Sequence, residues 1–333
     1  MATWNTRGLR GSTLEDMVNR TNEKYAEAGL ALIQKIPTPS AERGTGEGHK
    51  SCARGFSAAE NRGKIRKNGK GITAMDIRLV CSDIDGTLLQ YGKKELEGEI
   101  FEQIRALHQR GIWFCPASGR QYTSLRKLFA PVADCCVFIC ENGGTIFQEE
   151  QCIAKNPMPR ALAEEIANDM WTRSEGQGEV MLSGQNTAYL MERGLGMLQR
   201  VQFVGNHYQI IHSPAEVPED ITKVSVYLHE GVENYVERFV PRWKQANCAV
   251  AGPFWIDTTF ANKGIGVQCV CRILGIDLAQ VMAFGDNYND ETMLDVVGVP
   301  YIMDNAAAPL RAKYQNHTPR PEDVLAQLLA QQP

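Results

Sequence analysis

From Met75 to the C-terminus, short apolar segments alternate with segments in which apolar residues recur at helical spacing. The apolar segments have the length and composition of buried strands and include IRLVCSDI (77–84), IWFCPASG (112–119), CCVFICENGGTIF (135–147), QVMAFGD (280–286) and VPYIMD (299–304). The intervening helical segments include LEGEIFEQIRALHQRG (96–111), YTSLRKLFAPV (122–132), GIGVQCVCRILGI (264–276) and PEDVLAQLLAQ (321–331). Apolar strands that alternate with helices are typical of a parallel sheet covered on both faces. The sequence therefore predicts an α/β fold with a Rossmann-like parallel sheet core.

The segment 156–255 has a different pattern. It contains the helical segment PRALAEEIANDMWTRS (159–174), the alternating strand KVSVYLHE (223–230) and the turn-rich segment MLSGQNTAYLM (181–191). We interpret 156–255 as an α/β insertion between two halves of one core, which comprise residues 75–155 and 256–333.

Polar residues follow the predicted strands where each strand ends. They are Asp83 and Asp85 after the first strand, Ser118 after the second, Asn142 after the third, and Asp286 with Asp290 after the fourth. Ligands of an open parallel sheet bind beyond the carboxyl ends of its strands, so these side chains are expected to share one site.

Four carboxylates at one edge of a sheet would repel one another strongly. A hard divalent cation would relieve that repulsion, and carboxylate oxygens favour Mg²⁺. The spacing of Asp83 and Asp85, with Gly86 after them, suggests a division of labour. One carboxylate would attack phosphorus, and the other would protonate the leaving alcohol and then activate water.

These residues resemble the four ordered motifs of the haloacid dehalogenase superfamily. The motifs are Asp83-Ile-Asp85-Gly86-Thr87, Ser118-Gly119-Arg120, Lys263-Gly264 and GDNYND (285–290). More narrowly, residues 75–333 resemble the Cof-type phosphatases, which carry an α/β cap between the second and third motifs. The resemblance implies a haloacid dehalogenase-like core and identifies the insertion 156–255 as the cap.

The resemblance also implies catalytic and metal-binding roles. Asp83 would be the nucleophile and a Mg²⁺ ligand. Asp85 would be the general acid and base, and its backbone carbonyl would also reach the metal. Asp286 would complete the metal site. Thr87 would support the first motif, and Asp290 would position Lys263 or metal-bound water.

Four residues would bind the phosphoryl group. The resemblance implies that they are Ser118, Gly119, Lys263 and Asn289. Lys263 would supply positive charge in the transition state. Asn142 would lie near the cap hinge and support substrate binding. The implied enzyme is a Mg²⁺-dependent phosphatase that hydrolyses a small phosphorylated metabolite, such as a sugar phosphate, through an aspartyl-phosphate.

Other interpretations of these residues stay open at this point. An Asp-x-Asp-Gly sequence after a strand can be a plain turn, because Asp and Gly both favour turns. Phosphomutases of the same superfamily have similar caps and also carry the second acid. The sequence does not specify the phosphorylated substrate or the oligomeric state.

The N-terminal residues resemble a different family. Residues 1–39 are similar to the opening of the RecU-type Holliday-junction resolvases, but they contain none of the nuclease catalytic positions. Residues 40–74 are rich in Gly, Lys and Arg and are predicted to be a basic flexible linker. We interpret 1–74 as a fusion remnant, and the alternative is a basic segment that binds nucleic acid.

Charge and cysteine usage bear on partners and location. Residues 1–74 hold 13 Lys/Arg and 7 Asp/Glu, whereas the remainder holds 22 and 32. An acidic body argues against nucleic-acid binding outside residues 1–74. The ten cysteines lie mostly in apolar runs without a C-x-x-C pair, which favours buried thiols over a zinc site. With no apolar signal segment or membrane-length run either, the sequence predicts a cytoplasmic protein.

Overall fold

The computed structural model describes residues 77–331, apart from 90–92, 94, 192, 194 and 195. The predicted resolvase-like fragment (1–39) and basic linker (40–74) lie outside the described residues. The strands described are β1 Leu79–Ser82, β2 Trp113–Pro116, β3 Phe138–Cys140, β4 Thr145–Gln148, β5 Gln151–Lys155, β6 Gly178–Ser183, β7 Ala188–Met191, β8 Tyr208–Ile210, β9 Lys223–Leu228, β10 Ala249–Gly252, β11 Trp255–Thr258, β12 Val281–Gly285, β13 Val299–Met303 and β14 His317–Thr318. The helices described are α1 Gly98–Gln109, α2 Tyr122–Leu128, α3 Arg160–Arg173, α4 Gly196–Val204, α5 Val236–Phe239, α6 Lys263–Leu274, α7 Glu291–Leu294, α8 Ala308–Arg311 and α9 Pro321–Gln331.

Five strands form a parallel sheet in the order β14-β13-β12-β1-β2. Parallel bridges between Phe114 and Cys136 and between Ala117 and Ile139 place β3 next to β2. All four residues of the central strand β1 are buried, as expected for a strand covered on both faces. The prediction of a Rossmann-like parallel core is confirmed.

Alternate residues of β1 enter apolar clusters on opposite faces of the sheet. Val80 packs with Phe114 and Phe284 in a cluster that includes apolar residues of α1 and α9. Leu79 and Cys81 pack in a second cluster with apolar residues of α6. The parallel sheet is therefore the middle of three layers, and α6 is held against it by burial of apolar surface.

The inserted segment forms a second sheet with its own apolar core. Its strands lie in the order β10-β11-β9-β6-β7-β8, and all pairs are antiparallel except β7 with β8. Helices α3 and α5 contribute to the cluster on one face, and α4 to the cluster on the other. The architecture agrees with the predicted α/β insertion. Since β11 belongs to this sheet and ends at Thr258, the boundary predicted at 255 falls at the start of that strand.

The second core helix is shorter than its apolar pattern indicates. The sequence predicts a helix over 122–132, but α2 ends at Leu128 and a 3₁₀ turn follows over Ala130–Cys135. Pro131 lies near the start of that turn, and proline cannot donate the backbone hydrogen bond that would continue the helix.

The described cysteines are mostly free thiols. Eight are free, and all of these except Cys152 are buried. Within the described residues, the helices are all too short or too polar to span a membrane.

Candidate active site

Asp83 and Lys263 form a buried ion pair at the carboxyl end of the parallel sheet. Asp83 follows β1 directly and is 6% exposed, and its N–H donates to the carbonyl of Phe284 at 2.9 Å. Lys263 is the first residue of α6 and is fully buried. Its Nζ lies 2.5 Å from Asp83 Oδ1. The N-cap residue Asn262 fixes the start of α6, because its side chain accepts from the N–H of Ile265 at 2.9 Å.

The loop after β12 supplies two more aspartates. Asp290 Oδ2 accepts from the backbone N–H groups of Asp286 and Asn287, both at 3.0 Å. Asp290 Oδ1 lies 2.5 Å from Lys263 Nζ. Both oxygens of Asp290 thus have donors, which orients the carboxylate and places the ammonium of Lys263 between Asp83 and Asp290.

Three carboxylates converge here, because oxygens of Asp83, Asp286 and Asp290 all lie within 4.8 Å of one another. Burial, followed by repulsion from Asp290, raises the pKa of Asp83 to about 8 and that of Asp286 to about 6. Burial alone would lower the pKa of Lys263, but attraction to Asp290 and Asp83 outweighs it, and the pKa is raised. A single ammonium therefore faces three carboxylates in a region with little solvent.

This donor set fits a hard divalent cation. The oxygens are close enough to coordinate one ion. Burial and mutual repulsion raise the proton affinity of Asp83, and a bound cation would take the place of that proton. Thr87 supports the cluster, since its hydroxyl donates to Asp286 Oδ1 at 3.3 Å. A Mg²⁺ ion bound here would be held chiefly by Asp83 and Asp286, because both oxygens of Asp290 already accept hydrogen bonds.

The side chain of Asp85 points elsewhere. It is half exposed and forms a two-point ion pair with Arg120, with Nε of Arg120 2.9 Å from Asp85 Oδ2 and Nη2 bonded to Oδ1. Asp85 is absent from the group of three converging carboxylates. Its predicted metal contact through the backbone carbonyl and its predicted acid–base role stay predictions. The Arg120 partner was not predicted from the sequence.

The segment after β2 meets the turn after β3. Ser118 is buried, its N–H donates to the carbonyl of Ile139 at 3.0 Å, and its carbonyl accepts from the N–H of Asn142 at 2.9 Å. A Cβ atom on Gly119 would lie 3.2 Å from Asn142 Nδ2. Asn289 Nδ2 donates to Asn142 Oδ1 at 3.5 Å. The structure therefore brings the predicted second and fourth motifs together around Asn142.

Two charged residues at this site were not predicted. Glu141, next to Asn142, is buried and pairs with the ammonium of Lys223 from the cap strand β9. The available signals were an acid inside the apolar run CCVFICENGG and a lysine that opens the apolar run KVSVYL. Neither run indicates that the two side chains meet, because they are distant in sequence.

The fold and the acidic edge of its sheet define a Rossmann-like α/β protein with an inserted α/β domain. Comparison with known families gives the particular family: the chain belongs to the haloacid dehalogenase-like hydrolases, whose family model matches residues 80–327. The predicted superfamily and the predicted hydrolase class are confirmed.

Curated relatives that match the chain are named phosphatases. The 5-amino-6-(5-phospho-D-ribitylamino)uracil phosphatase of Escherichia coli (strain K12) is 26% identical over 264 residues, which cover 75% of this chain and 94% of the relative. The HMP-PP phosphatase of Citrobacter koseri is 26% identical over 249 residues, which cover 71% and 87% respectively. A solved haloacid dehalogenase-like hydrolase from B. subtilis is 20% identical with a TM-score of 0.64, covers 76% of this chain and 99% of its own, and shares the fold.

A second family model, Recombination protein U, matches residues 9–56. This match includes residues 9–39 of the predicted resemblance and continues to residue 56, into the segment predicted to be a linker. It lies entirely outside the described residues.

Proposed function

We propose that this protein is a Mg²⁺-dependent phosphatase that hydrolyses a small phosphorylated metabolite through an aspartyl-phosphate. The observation that carries the proposal is the buried Asp83, which directly follows the central strand and lies 2.5 Å from Lys263 beside two further aspartates. The two curated relatives described above are named phosphatases, which supports the same reaction class.

In the first half of the reaction, an oxygen of Asp83 attacks phosphorus and forms an acyl-phosphate bond. The bond between phosphorus and the alcohol oxygen of the substrate breaks, and Asp85 delivers a proton to that oxygen. For this role the side chain of Asp85 would have to leave Arg120, with which it forms an ion pair in the structure, and turn toward the leaving group.

In the second half, Asp85 removes a proton from water, and the water oxygen attacks phosphorus. The bond between phosphorus and Asp83 breaks, which releases inorganic phosphate and restores the carboxylate. The net reaction consumes one water, and Asp85 recovers from that water the proton that it gave to the alcohol in the first half.

Lys263, Ser118, Gly119 and Asn289 would hold the transferring phosphoryl group. Lys263 is charged and fixed between two carboxylates, so it is positioned before substrate binds. When bound at Asp83 and Asp286, with the backbone carbonyl of Asp85, Mg²⁺ would supply positive charge opposite the phosphoryl oxygens.

The cap would exclude water and select the leaving group. The turn between β6 and β7 reaches the core, where Asn186 Oδ1 accepts from the N–H and the hydroxyl of Thr123, both at 3.1 Å. Thr123 lies in the first turn of α2, a few residues after Ser118 and Gly119. This contact supports a cap that covers the predicted phosphate-binding segment.

Hydrolysis of p-nitrophenyl phosphate by the full-length protein tests the proposal, with Mg²⁺ and with chelator. We expect metal-dependent turnover, and we expect Asp83→Asn to lower kcat by about 10⁴-fold or more, as removal of a nucleophile does elsewhere. Mass spectrometry of the acid-quenched wild type should find one phosphoryl group on the peptide that contains Asp83.

Asp134→Asn is the matched control, because Asp134 is an exposed aspartate of the core. It should keep wild-type activity. Turnover that survives Asp83→Asn would contradict the aspartyl-phosphate. If the wild type is active and Asp83→Asn is not, a panel of sugar phosphates and other phosphorylated metabolites, assayed with the wild type, would identify the substrate class.

A further inference from the structure

The turn after β3 has an unusual backbone conformation. Glu141, Asn142 and Gly143 have φ angles of 50°, 53° and 95° in succession. Left-handed φ is uncommon for residues other than glycine, and it persists only where the surroundings hold it. The two non-glycine residues of this turn therefore need contacts that fix them.

Backbone hydrogen bonds join this turn to the predicted phosphate-binding segment. The N–H of Glu141 donates to the carbonyl of Arg120 at 3.0 Å, and the N–H of Asn142 donates to the carbonyl of Ser118 at 2.9 Å. A shift of the turn would therefore move both ends of the segment Ser118–Arg120.

The other side of the turn contacts the remaining motifs. A Cβ atom on Gly143 would lie only 2.3 Å from the carbonyl oxygen of Asn262, the residue that caps the helix carrying Lys263. The side chain of Asn142 accepts from Asn289 in the fourth motif. The turn is thus packed among the second, third and fourth motifs at once.

The cap holds the first residue of this turn. Lys223 opens β9, and its ammonium pairs with Glu141 and lies 3.7 Å from Asp257 of β11. The side chains of Lys223 and Glu141 are 8% and 4% exposed. Burial alone would lower the pKa of Lys223, but Glu141 and then Asp257 attract the charged form, and the pKa is raised.

Stability alone is a weak explanation for this pair. A buried ion pair loses hydration that its attraction only partly restores, and apolar residues of similar volume are often at least as stable. The pair instead spans the cap and a turn that contacts three motifs. The observation favours a role in the geometry of the site.

We propose that Lys223 is a positioning residue of the phosphatase reaction. Its ammonium, docked on Glu141, holds the left-handed turn so that Ser118, Arg120 and Asn142 keep their places, and it does so without touching the substrate. The inference rests on the proposed function, and it makes the geometry of the core site depend on docking of the cap.

The test compares Lys223→Met and Glu141→Gln with wild type in the full-length protein. With p-nitrophenyl phosphate and Mg²⁺, we expect kcat to fall by about 10- to 100-fold with little change in KM, as displaced catalytic groups do. Hydrogen exchange of the amides of Glu141 and Asn142 should accelerate. Lys223→Arg, which keeps the charge, should restore much of kcat.

The chain offers a matched control in Lys155→Met. Lys155 of the core also forms an ion pair with the inserted segment, since its Nζ lies 2.9 Å from Asp220 Oδ2. The Asp220 carboxylate is exposed, whereas Glu141 is buried. This variant should keep kcat within about twofold, because exposed ion pairs contribute little.

A double variant that combines Lys223→Met with Asn142→Ala distinguishes a positioning role of Lys223 from a general loss of activity. If Lys223 acts through the turn, the double variant Lys223→Met/Asn142→Ala should lose no more kcat than the worse single variant. Losses that multiply would overturn the proposal, as would unchanged kcat and unchanged exchange in Lys223→Met. If Lys223→Met does not fold, Glu141→Gln supports the same comparison, because Lys223 keeps Asp257 as a partner.

Failure of the proposed function is distinguishable from failure of this inference. A wild type without metal-dependent turnover would overturn the proposed function, whereas the exchange rates of the turn would still support or overturn the holding role of Lys223.

Discussion

Ionisation of Asp83 is unfavourable without a bound cation, because the side chain is buried and lies beside Asp290. Burial and the neighbouring Asp290 raise its pKa to about 8, against the weaker opposing effect of Lys263. The folded, metal-free protein therefore binds this proton more tightly than the unfolded chain does. The resulting stability is fully present below the unfolded pKa and is lost as pH rises through the folded pKa.

The melting temperature of the metal-free protein is therefore expected to fall as pH rises from about 5 to about 8. For a chain of this size, with an unfolding entropy of about 2.1 cal/mol/K per residue, each kcal/mol lost lowers the melting temperature by about 1–2 °C. Mg²⁺ should raise the melting temperature more at the upper end of this range, since binding requires the ionised carboxylates. Differential scanning calorimetry with chelator and with Mg²⁺ measures both effects.

Asp83→Asn should flatten this pH dependence and weaken the Mg²⁺ effect, whereas the exposed control Asp134→Asn should leave both intact. A melting temperature that rises with pH over the same range in chelator would contradict the raised pKa of Asp83.

The sequence predicts the residue types of the site better than their partners. Asp83, Asp286 and Asp290 come together because strand ends of a parallel sheet share one edge, and Lys263 joins them from the first turn of α6. The pairing of Asp85 with Arg120 depends on side-chain rotamers, which local sequence does not determine. The pairing of Lys223 with Glu141 depends on how the cap docks on the core, and this docking cannot be predicted from either segment alone.

At the scale of elements, the start of α6 is fixed by close packing against α7. A Cβ atom on Gly264 would lie 2.2 Å from the carbonyl oxygen of Thr292, which is backbone and cannot move aside cheaply. We expect Gly264→Ala to lower stability by about 1–3 kcal/mol, as overpacking does, and to lower kcat because Lys263 precedes this position. Thermal unfolding and steady-state kinetics measure the two losses.

Gly98→Ala provides the comparison, since Gly98 begins helix α1 and a Cβ atom there would have no neighbour within 4 Å. Its melting temperature should be unchanged or slightly higher, because alanine favours helix over glycine. Equal effects of the two substitutions would contradict the packing argument for Gly264.

The long, periodic elements were predictable, and the short ones were not. The last helix runs over Pro321–Gln331, as its apolar pattern indicates. Strand β14 has only two residues and pairs with β13, so it has too little sequence to show a period. Strand β8 has three residues, all exposed, and is likewise too short to show a period.

At the scale of the whole molecule, the contact of Asn186 with Thr123 joins the cap to the core. Asn186→Ala removes two accepted hydrogen bonds and one donated to the Thr123 hydroxyl. We expect kcat/KM for the best metabolite of the panel to fall by about 2- to 10-fold, which corresponds to about one net hydrogen bond. Steady-state kinetics on that substrate measure the loss.

Asn168→Ala, at an exposed position of the cap helix α3, should leave kcat/KM unchanged. An Asn186→Ala variant with wild-type kcat/KM for every metabolite tested would show that this contact does not contribute to cap closure.

The order of segments along the chain has a consequence for synthesis. Asp83 and Lys263 are separated by 180 positions, and the whole cap sheet lies between them. On the ribosome, β1 is made long before its neighbour β12, so the backbone N–H and C=O groups on one edge of the central strand have no strand partner while the cap is synthesised. The cap pairs strands within its own segment, so its sheet can form first. The catalytic centre is therefore completed late in synthesis. A chain interrupted between Thr258 and Lys263 contains every strand of the cap sheet but no complete catalytic site.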